Sequence, residues 1–424
     1  MAEEAKGKGI FYGWYVVGAC MLCISTGPGP FAFAATGLFI LPFGEEFGWS
    51  RSDISLCLSL MVAATAITMP ICGRWVDRVG SRKILIPSLV IMAMLLASTS
   101  LITELWHFAL VMFLIGTLAV GTNSVPYMPV LSAWFFKRRG LAIGISIAGI
   151  GLGYFYMPLV VQALIDSSGW RAAYYALGGI VLFVAVPLAV LLIKETPGEM
   201  GLMPDGEQSG EPPRATRKDV GLTGSEVFRH REFWLLSGIF VVLSFVLNGM
   251  LTHIVPMLSD RGMTPGAAAA VAATEGLTVF LSRICIGYLI DRFFAPRIAM
   301  VFFFLSALGI SVFAMGAVDT WAFVGAILIG LSLGAEVDLL AYLAGRYFGL
   351  RSFGMVYGLL FSAILLGTAL GPWVFGKAFE VTGSYVSILT VCVVINLLAV
   401  ALTGFLGKYP DWEKVAEAPS AEGA

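Results

Sequence analysis

Twelve stretches of this chain, each about long enough to cross a bilayer, follow one another with little between them but charges, glycines and prolines. A bilayer-spanning helix needs ~20 mostly apolar residues. In rough limits the runs are 14–41, 53–73, 84–102, 107–133, 141–165, 172–193, 233–258, 266–290, 297–317, 321–346, 355–379 and 384–406. So much apolar material, with only 12% charged residues where a soluble protein carries about a quarter, leaves one fold class: an all-α, polytopic membrane protein. A net charge of −1 offers no bulk attraction to nucleic acid, and none is expected as a partner. The opening "MAEEAKGKGIFYGW" leads straight into a full-length run, so no cleaved leader is expected.

Basic residues set the expected orientation. The odd-numbered connections hold few of them: Arg51, Arg171, Arg261 and Lys377. The even-numbered connections and both ends hold Lys6, Lys8, Arg74, Arg78, Arg82, Lys83, the "KRR" at 137–139, Arg292, Arg297, Arg346, Arg351, Lys408, Lys414 and a basic group in 194–231. Both termini are therefore expected in the cytoplasm, with the protein in the cytoplasmic (inner) cell membrane. All six cysteines lie in or at the edge of apolar runs and read as small packing residues, Cys20-x-x-Cys23 included.

The longest polar stretch, 194–231, is rich in Pro, Gly, Glu and Ser and reads as a flexible linker. It separates an N-terminal bundle (1–193) from a C-terminal bundle (232–424), six spans each. Shifting the second half back by 214 residues superimposes Gly48 on Gly262, Gly73 on Gly287 and Asp77-Arg78 on Asp291-Arg292. It also matches Gly140 with Gly354, Gly144 with Gly358, Gly153 with Gly367, Pro158 with Pro372 and Gly169 with Gly383. Six is even, so both copies enter from the same side: a parallel repeat about an axis along the membrane normal. Two such bundles can rock about a central site, as carriers do.

The connection after the second span reads "GRWVDRVGSRK", Gly73–Lys83, and resembles the signature of the major facilitator superfamily, G-x-x-x-D-R-x-G-R-[RK]. The second copy, "GYLIDRFFAPR", keeps Gly287, Asp291 and Arg292 but lacks the second glycine. Gly73 permits close helix approach, and Asp77 suits the positive N-terminal end of a neighbouring helix. The resemblance implies a latch, built from Gly73, Asp77, Arg78 and their second-copy partners, that holds the cytoplasmic side shut when the carrier opens outward.

Arg283 stands in the eighth run, "LSRICIGYLIDRF", five residues or ~7–8 Å past its centre near Thr278. A permanent cation there costs at least ~2.5 kcal/mol and must face protein or a wet cavity. Its planar fork fits one carboxylate with two parallel hydrogen bonds; the alternative is a permanent ion pair with a bundle acid. The pattern Arg283-x-x-x-Gly287-x-x-x-Asp291 resembles the eighth-span signature of the monocarboxylate transporter family and the neighbouring oxalate:formate antiporter group, as do "YGWYVV" (12–17), "EFGWSRSDISL" (46–56), "WFFKRRGLAIG" (134–144) and "RYFGLRSFG" (346–354). In those families the matching arginine binds the substrate carboxylate. Two departures matter. Val279 occupies the place of the acid that mammalian members put one turn before the arginine, and the first span has no lysine, so their proton route does not carry over. The eleventh span has only Lys377, at its edge, whereas oxalate carriers use a second cation in that span.

Other intramembrane polar residues are candidates. Glu336 and Asp338 are ~200° apart on a helix, so at most one is expected to face a central cavity, while Asp338 and Tyr342 share a face. Either acid, or Glu275, is a candidate proton carrier. His253 suits proton coupling or anion contact. Asn123 and Tyr127, on a run loosened by Pro126 and Pro129, are the expected partners of Arg283 from the first bundle. "GIGLG" at 149–153 reads as close helix packing, not a nucleotide loop.

The expectation is a secondary active transporter of small monocarboxylates (lactate, pyruvate, acetate or formate), proton-coupled, working by rocker-switch alternating access and functional as a monomer. Its partners would be the carboxylate, a proton and membrane lipid. The alternatives are an oxalate or dicarboxylate antiporter and, from another class, a non-transporting sensor or scaffold. No metal cluster, nucleophile pair or cofactor loop is apparent in the sequence, so neither cofactor nor enzymatic activity is expected.

Overall fold

The computed structural model describes residues 11–135, 138–205, 221–222, 226–349 and 351–410; the side-chain surroundings of Asp291, Phe353 and Gly354 are outside that description. The chain is helical throughout. The first half comprises α1 (Gly13–Phe47), α2 (Arg51–Val79), α3 (Ser81–Thr99), α4 (Leu105–Leu118 continued by Val120–Trp134), α5 (139–168) and α6 (170–192). The second comprises α7 (Arg231–Asp260), α8 (Pro265–Arg292), α9 (Ala295–Ala314), α10 (Asp319–Phe348), α11 (Phe353–Thr382) and α12 (Val386–Thr403). The last two helices of the first half run on as one apolar stretch of 54 residues, Arg139–Leu192. At ~1.5 Å per residue this is more than twice the ~30 Å hydrocarbon core. The chain reverses at Gly169, whose φ of 81° breaks the helix into two spans. Helix α4 bends by 60° around 119–126. The twelve predicted spans are all present.

The repeat seen in the sequence is a repeat of local structure. Gly48 and Gly262, at φ 69° and 91°, end the first helix of each half, and Gly169 and Gly383, at φ 81° and 69°, make the turn between the fifth and sixth. Side chains rarely adopt these angles, which is why glycine stands at both copies. Ser50 caps α2 by accepting from the Asp53 amide at 3.1 Å, and Thr264 caps α8 the same way from Ala267 at 3.3 Å. Packing repeats too: α1 lies on α5 as α7 lies on α11, α2 on α4 as α8 on α10, and α3 on α6 as α9 on α12. Gly153 seats its helix against the backbone of Ser25, and its counterpart Gly367 against Val241 and Phe245.

The halves meet along α5 with α8, α2 with α11 and α1 with α7. Mid-span contact is backbone to backbone: Gly151 lies on Phe280, Gly276 on Tyr154 and Gly37 on the Thr252 carbonyl. Small residues let helices approach this closely where lipid supplies no hydrophobic drive. On the face away from the chain ends, here the far face, Gly376 packs on Ser52, and polar side chains cross the seam. Toward the face bearing the ends, Gly140, Gly144, Gly287 and Gly358 have nothing within 4 Å of where a Cβ would stand. Ile284, Cys285 and Tyr288 on α8 are exposed there, as are Ile67 and Trp75 on α2 and Met355 on α11. The bundles close on each other at the far face and part at the termini face.

The 194–231 connection, expected to be flexible, is anchored where it is described. Trp134 donates to the Lys194 carbonyl at 2.8 Å, Asp205 pairs with Phe135, and Gly221 bridges to Gly349. The rest of the linker lies outside the described residues.

A Cβ at residue 276 would collide with Tyr154 backbone, which cannot move without parting α5 from α8. Gly276→Leu is expected to cost about 1–3 kcal/mol or more and to lower the thermal midpoint in detergent. Gly287→Leu, with open space, is expected to leave that midpoint unchanged.

Candidate functional site

Helix α8 crosses the middle of the molecule against α5 and α10, and Arg283 projects from it between the halves. Its side chain is only 7% exposed. Nε and Nη1 are buried without a hydrogen-bond partner among the described residues. The nearest acid is Asp338, with Nη1 to Oδ1 at 3.7 Å, beyond hydrogen-bond range, and an Asp338 side chain 32% exposed. Arg283 therefore has a counter-ion in view but nothing filling its fork. Tyr154 of α5 and Tyr357 of α11 lie within electrostatic reach of it, as does Glu336.

Helix α10 separates its two acids as the ~200° spacing requires. Glu336 is 3% exposed and accepts a hydrogen bond from the Ser244 hydroxyl of α7. Asp338 belongs to a half-exposed stripe with Val337, Ala341, Tyr342 and Gly345. Tyr342 is near Tyr409, toward the termini face. Glu275, two turns before Arg283 on α8, is fully buried, and neither carboxyl oxygen has a partner among the described residues. Tyr154 is its electrostatic neighbour as well.

Two expectations need correction. His253 does not join Arg283: it is buried at the far seam, bonded to Tyr385, Pro372 and Ser55. Its place on α7, nearer Asp260 than the middle of the helix, puts it beyond the cavity. Asn123 and Tyr127 do not share a face, because Asn123 is extended (φ −71°, ψ 177°) and helical periodicity fails across the bend. Tyr127 is fully buried in the first half near Cys20 and Cys23, while Asn123 is half-buried and donates to the Val120 carbonyl at 3.1 Å. The residues expected to form a latch stand open where they are described, on the face where the bundles part. Asp77 and Arg78 are exposed, Asp77 has no partner among the described residues, and Arg292 stacks over Tyr288 at 4.2 Å. The Asp291 side chain lies outside the description. Sequence reasoning missed Tyr154 and Tyr357; Tyr154 had a signal, since "GLGYFY" at 151–156 places tyrosines beside close-packing glycines.

Twelve helices in two like halves, with a charged residue in the cleft between them, form the architecture of a carrier. The Major Facilitator Superfamily model matches residues 22–372. The chain belongs to the major facilitator superfamily. It is thus a secondary transporter, not an enzyme. Among similar proteins, monocarboxylate transporter 11 of Homo sapiens is 26% identical over 387 residues, 88% of this chain and 78% of that protein. Monocarboxylate transporter 4 of Rattus norvegicus is 26% identical over 429 residues, 97% and 88% respectively. A bacterial homolog of the human lysosomal transporter Spinster, solved in an inward-facing, unoccupied conformation, shares the major facilitator fold at a TM-score of 0.70 and 18% identity, covering 92% of this chain and 96% of that one.

Amide substitutions distinguish the acids. On the expectation of proton coupling, whichever of Glu275→Gln, Glu336→Gln and Asp338→Asn abolishes proton-driven accumulation but retains exchange marks the coupling group. Glu336 is engaged by Ser244, whereas Glu275 has no partner among the described residues and Asp338 only the loose pair with Arg283. Uptake and counterflow in proteoliposomes read the two activities separately.

Proposed function

We propose that this major facilitator carries small monocarboxylates of the lactate, pyruvate, acetate or formate class together with a proton, by alternating access about Arg283. The observation that carries this reading is the unfilled guanidinium. A buried donor without an acceptor costs ~1–3 kcal/mol, more when charged, so a guanidinium whose Nε and Nη1 meet no protein acceptor among the described residues is suited to an anion. A carboxylate supplies two coplanar acceptors at the spacing of the fork. The names of the relatives, alignable over most of this chain, support the same substrate class.

One available cation argues for one carboxylate. Lys377, the one basic residue of α11, is 59% exposed at the far face and bonds Glu380 at 3.0 Å. A dicarboxylate would find no second cation beside Arg283 among the described residues, which sets the oxalate reading behind the monoanion. The excess of basic residues on the termini face supports a cytoplasmic placement of both ends.

Radiolabelled acids in proteoliposomes test the proposal. Lactate-class acids are expected to enter, and an inward proton gradient to accelerate them. Arg283→Lys replaces a planar fork with a point charge and is expected to cut uptake by roughly tenfold or more. Good transport of oxalate or succinate with lactate ignored would overturn the substrate class; undiminished uptake by Arg283→Ala would overturn the site.

A further inference from the structure

The most complete polar assembly outside the Arg283 cleft is the far seam. His253, 1% exposed on α7, has Nε2 at 2.8 Å from the Pro372 carbonyl of α11 and 3.2 Å from the Ser55 hydroxyl of α2. Its Nδ1 is 2.9 Å from the Tyr385 hydroxyl at the start of α12. A carbonyl oxygen only accepts, so Nε2 bears the hydrogen, and in a neutral ring Nδ1 is bare. Nδ1 then accepts from the Tyr385 hydroxyl. The Tyr385 oxygen in turn accepts from Arg51 Nη1 at 2.8 Å. Arg51 completes the chain by gripping Asp260 with both Nη atoms, at 2.7 and 2.8 Å, while its Cζ lies 3.9 Å from the Phe379 ring centroid. From Nε2 to Asp260 each link pairs one donor with one acceptor, and the order runs from the second half into the first and back.

Only a neutral imidazole satisfies that order. A second proton, on Nδ1, would point one donor at another: the Tyr385 hydroxyl must turn away and lose its acceptor. It would also add a cation within electrostatic reach of Arg51. The charged and titratable groups around the ring are Arg51 from α2, Asp260 from α7, Tyr385 from α12, and Glu380 with Lys377 from α11. Both acids are occupied. Asp260 holds Arg51, while Glu380 accepts from the Ser52 amide and hydroxyl and from Lys377. The remaining neighbours, Ser55, Pro372 and the Phe375 ring, carry no charge. Neither of these two carboxylates, Asp260 and Glu380, is free to receive an imidazolium.

We infer that His253 is a proton-binding gate residue, separate from the Arg283 site: protonation of Nδ1 from the far side accompanies parting of the seam, and loss of that proton lets the seam re-form. The ligand is the proton itself. Acid on the far side then favours the conformation open to that side. The inference needs no organic acid, so it holds or fails independently of the monocarboxylate reading.

The test uses the full-length protein in lipid nanodiscs without added carboxylate, in a Cys285→Ser background. Nitroxides at Glu45→Cys and Gly266→Cys, exposed positions on the two halves at the far face, report their separation by pulsed electron spin resonance. Measurements at about pH 8 and about pH 5 bracket the ordinary histidine range. Acidification is expected to raise the long-distance population roughly threefold or more, a modest population shift. His253→Gln is expected to abolish that response while keeping an N–H for Pro372. Tyr385→Phe, which removes the link to Arg51, is expected to raise the long-distance population already near pH 8. An unresponsive parent, an equal pH response in His253→Gln, or an unaltered Tyr385→Phe distribution would each overturn the inference.

Discussion

A guanidinium cannot shed its charge, and hydrocarbon cannot solvate it. That constraint organises this molecule. Arg283 is tolerable on α8 only because the two halves enclose a cleft where water or an anion can reach it, and Asp338 at 3.7 Å is close enough to offset its charge without consuming its donors. Were the ion pair a tight bidentate one, the arginine would be structural. Because Nε and Nη1 have no acceptor among the described residues, the site is polar, charged and able to take one.

The contacts between halves divide by chemistry along the membrane normal. At mid-depth the contact is glycine against backbone, short and apolar, at Gly151, Gly276 and Gly37. Contacts of this kind have no preferred protonation state and no hydrogen bonds to break, which suits a pivot. At the far face the contact is charged and hydrogen-bonded, through Arg51, Asp260, Ser52, Glu380 and His253. Such groups can exchange each other for water at low net cost, as partly exposed ion pairs do. At the termini face the resemblance gives the same role to the Asp77 and Arg292 turns, whose side chains are exposed in this conformation. On the proposed alternating-access cycle the two seals are mutually exclusive, since a rigid half that rocks about a mid-depth pivot closes one end as it opens the other.

Much of this was legible in the sequence. Span number, helix class and the 214-residue repeat follow from hydropathy and from glycines whose positive φ or close packing leaves no alternative, as at Gly48 and Gly262 or Gly153 and Gly367. The opposed directions of Glu336 and Asp338 follow from helical geometry alone. What failed were inferences requiring regular helix through an irregular segment or depth from position alone. Asn123 and Tyr127 lie four apart, but the bend at 119–126 cancels the periodicity that would align them. His253 is intramembrane and polar, yet its partners come from α2, α11 and α12, and no spacing within α7 encodes them. Tyr154 reaches Arg283 from the other half of the chain, a juxtaposition that only tertiary structure supplies.

On the carboxylate reading, Asp338 decides between symport and exchange. An empty carrier that must close around a bare cation faces the cost of burying an unpaired charge, several kcal/mol even after relaxation. Substrate removes that cost by neutralising Arg283. Ionised Asp338 removes part of it in the substrate's absence, and its half-exposed, loosely held carboxylate has the freedom to approach. An acid that can take the anion's place allows the empty carrier to reorient and net transport to proceed. An acid held protonated, or absent, leaves the guanidinium unpaired between the halves and confines the carrier to exchange. The 3.7 Å separation suits an acid in competition with substrate: near enough to replace it, too far to exclude it.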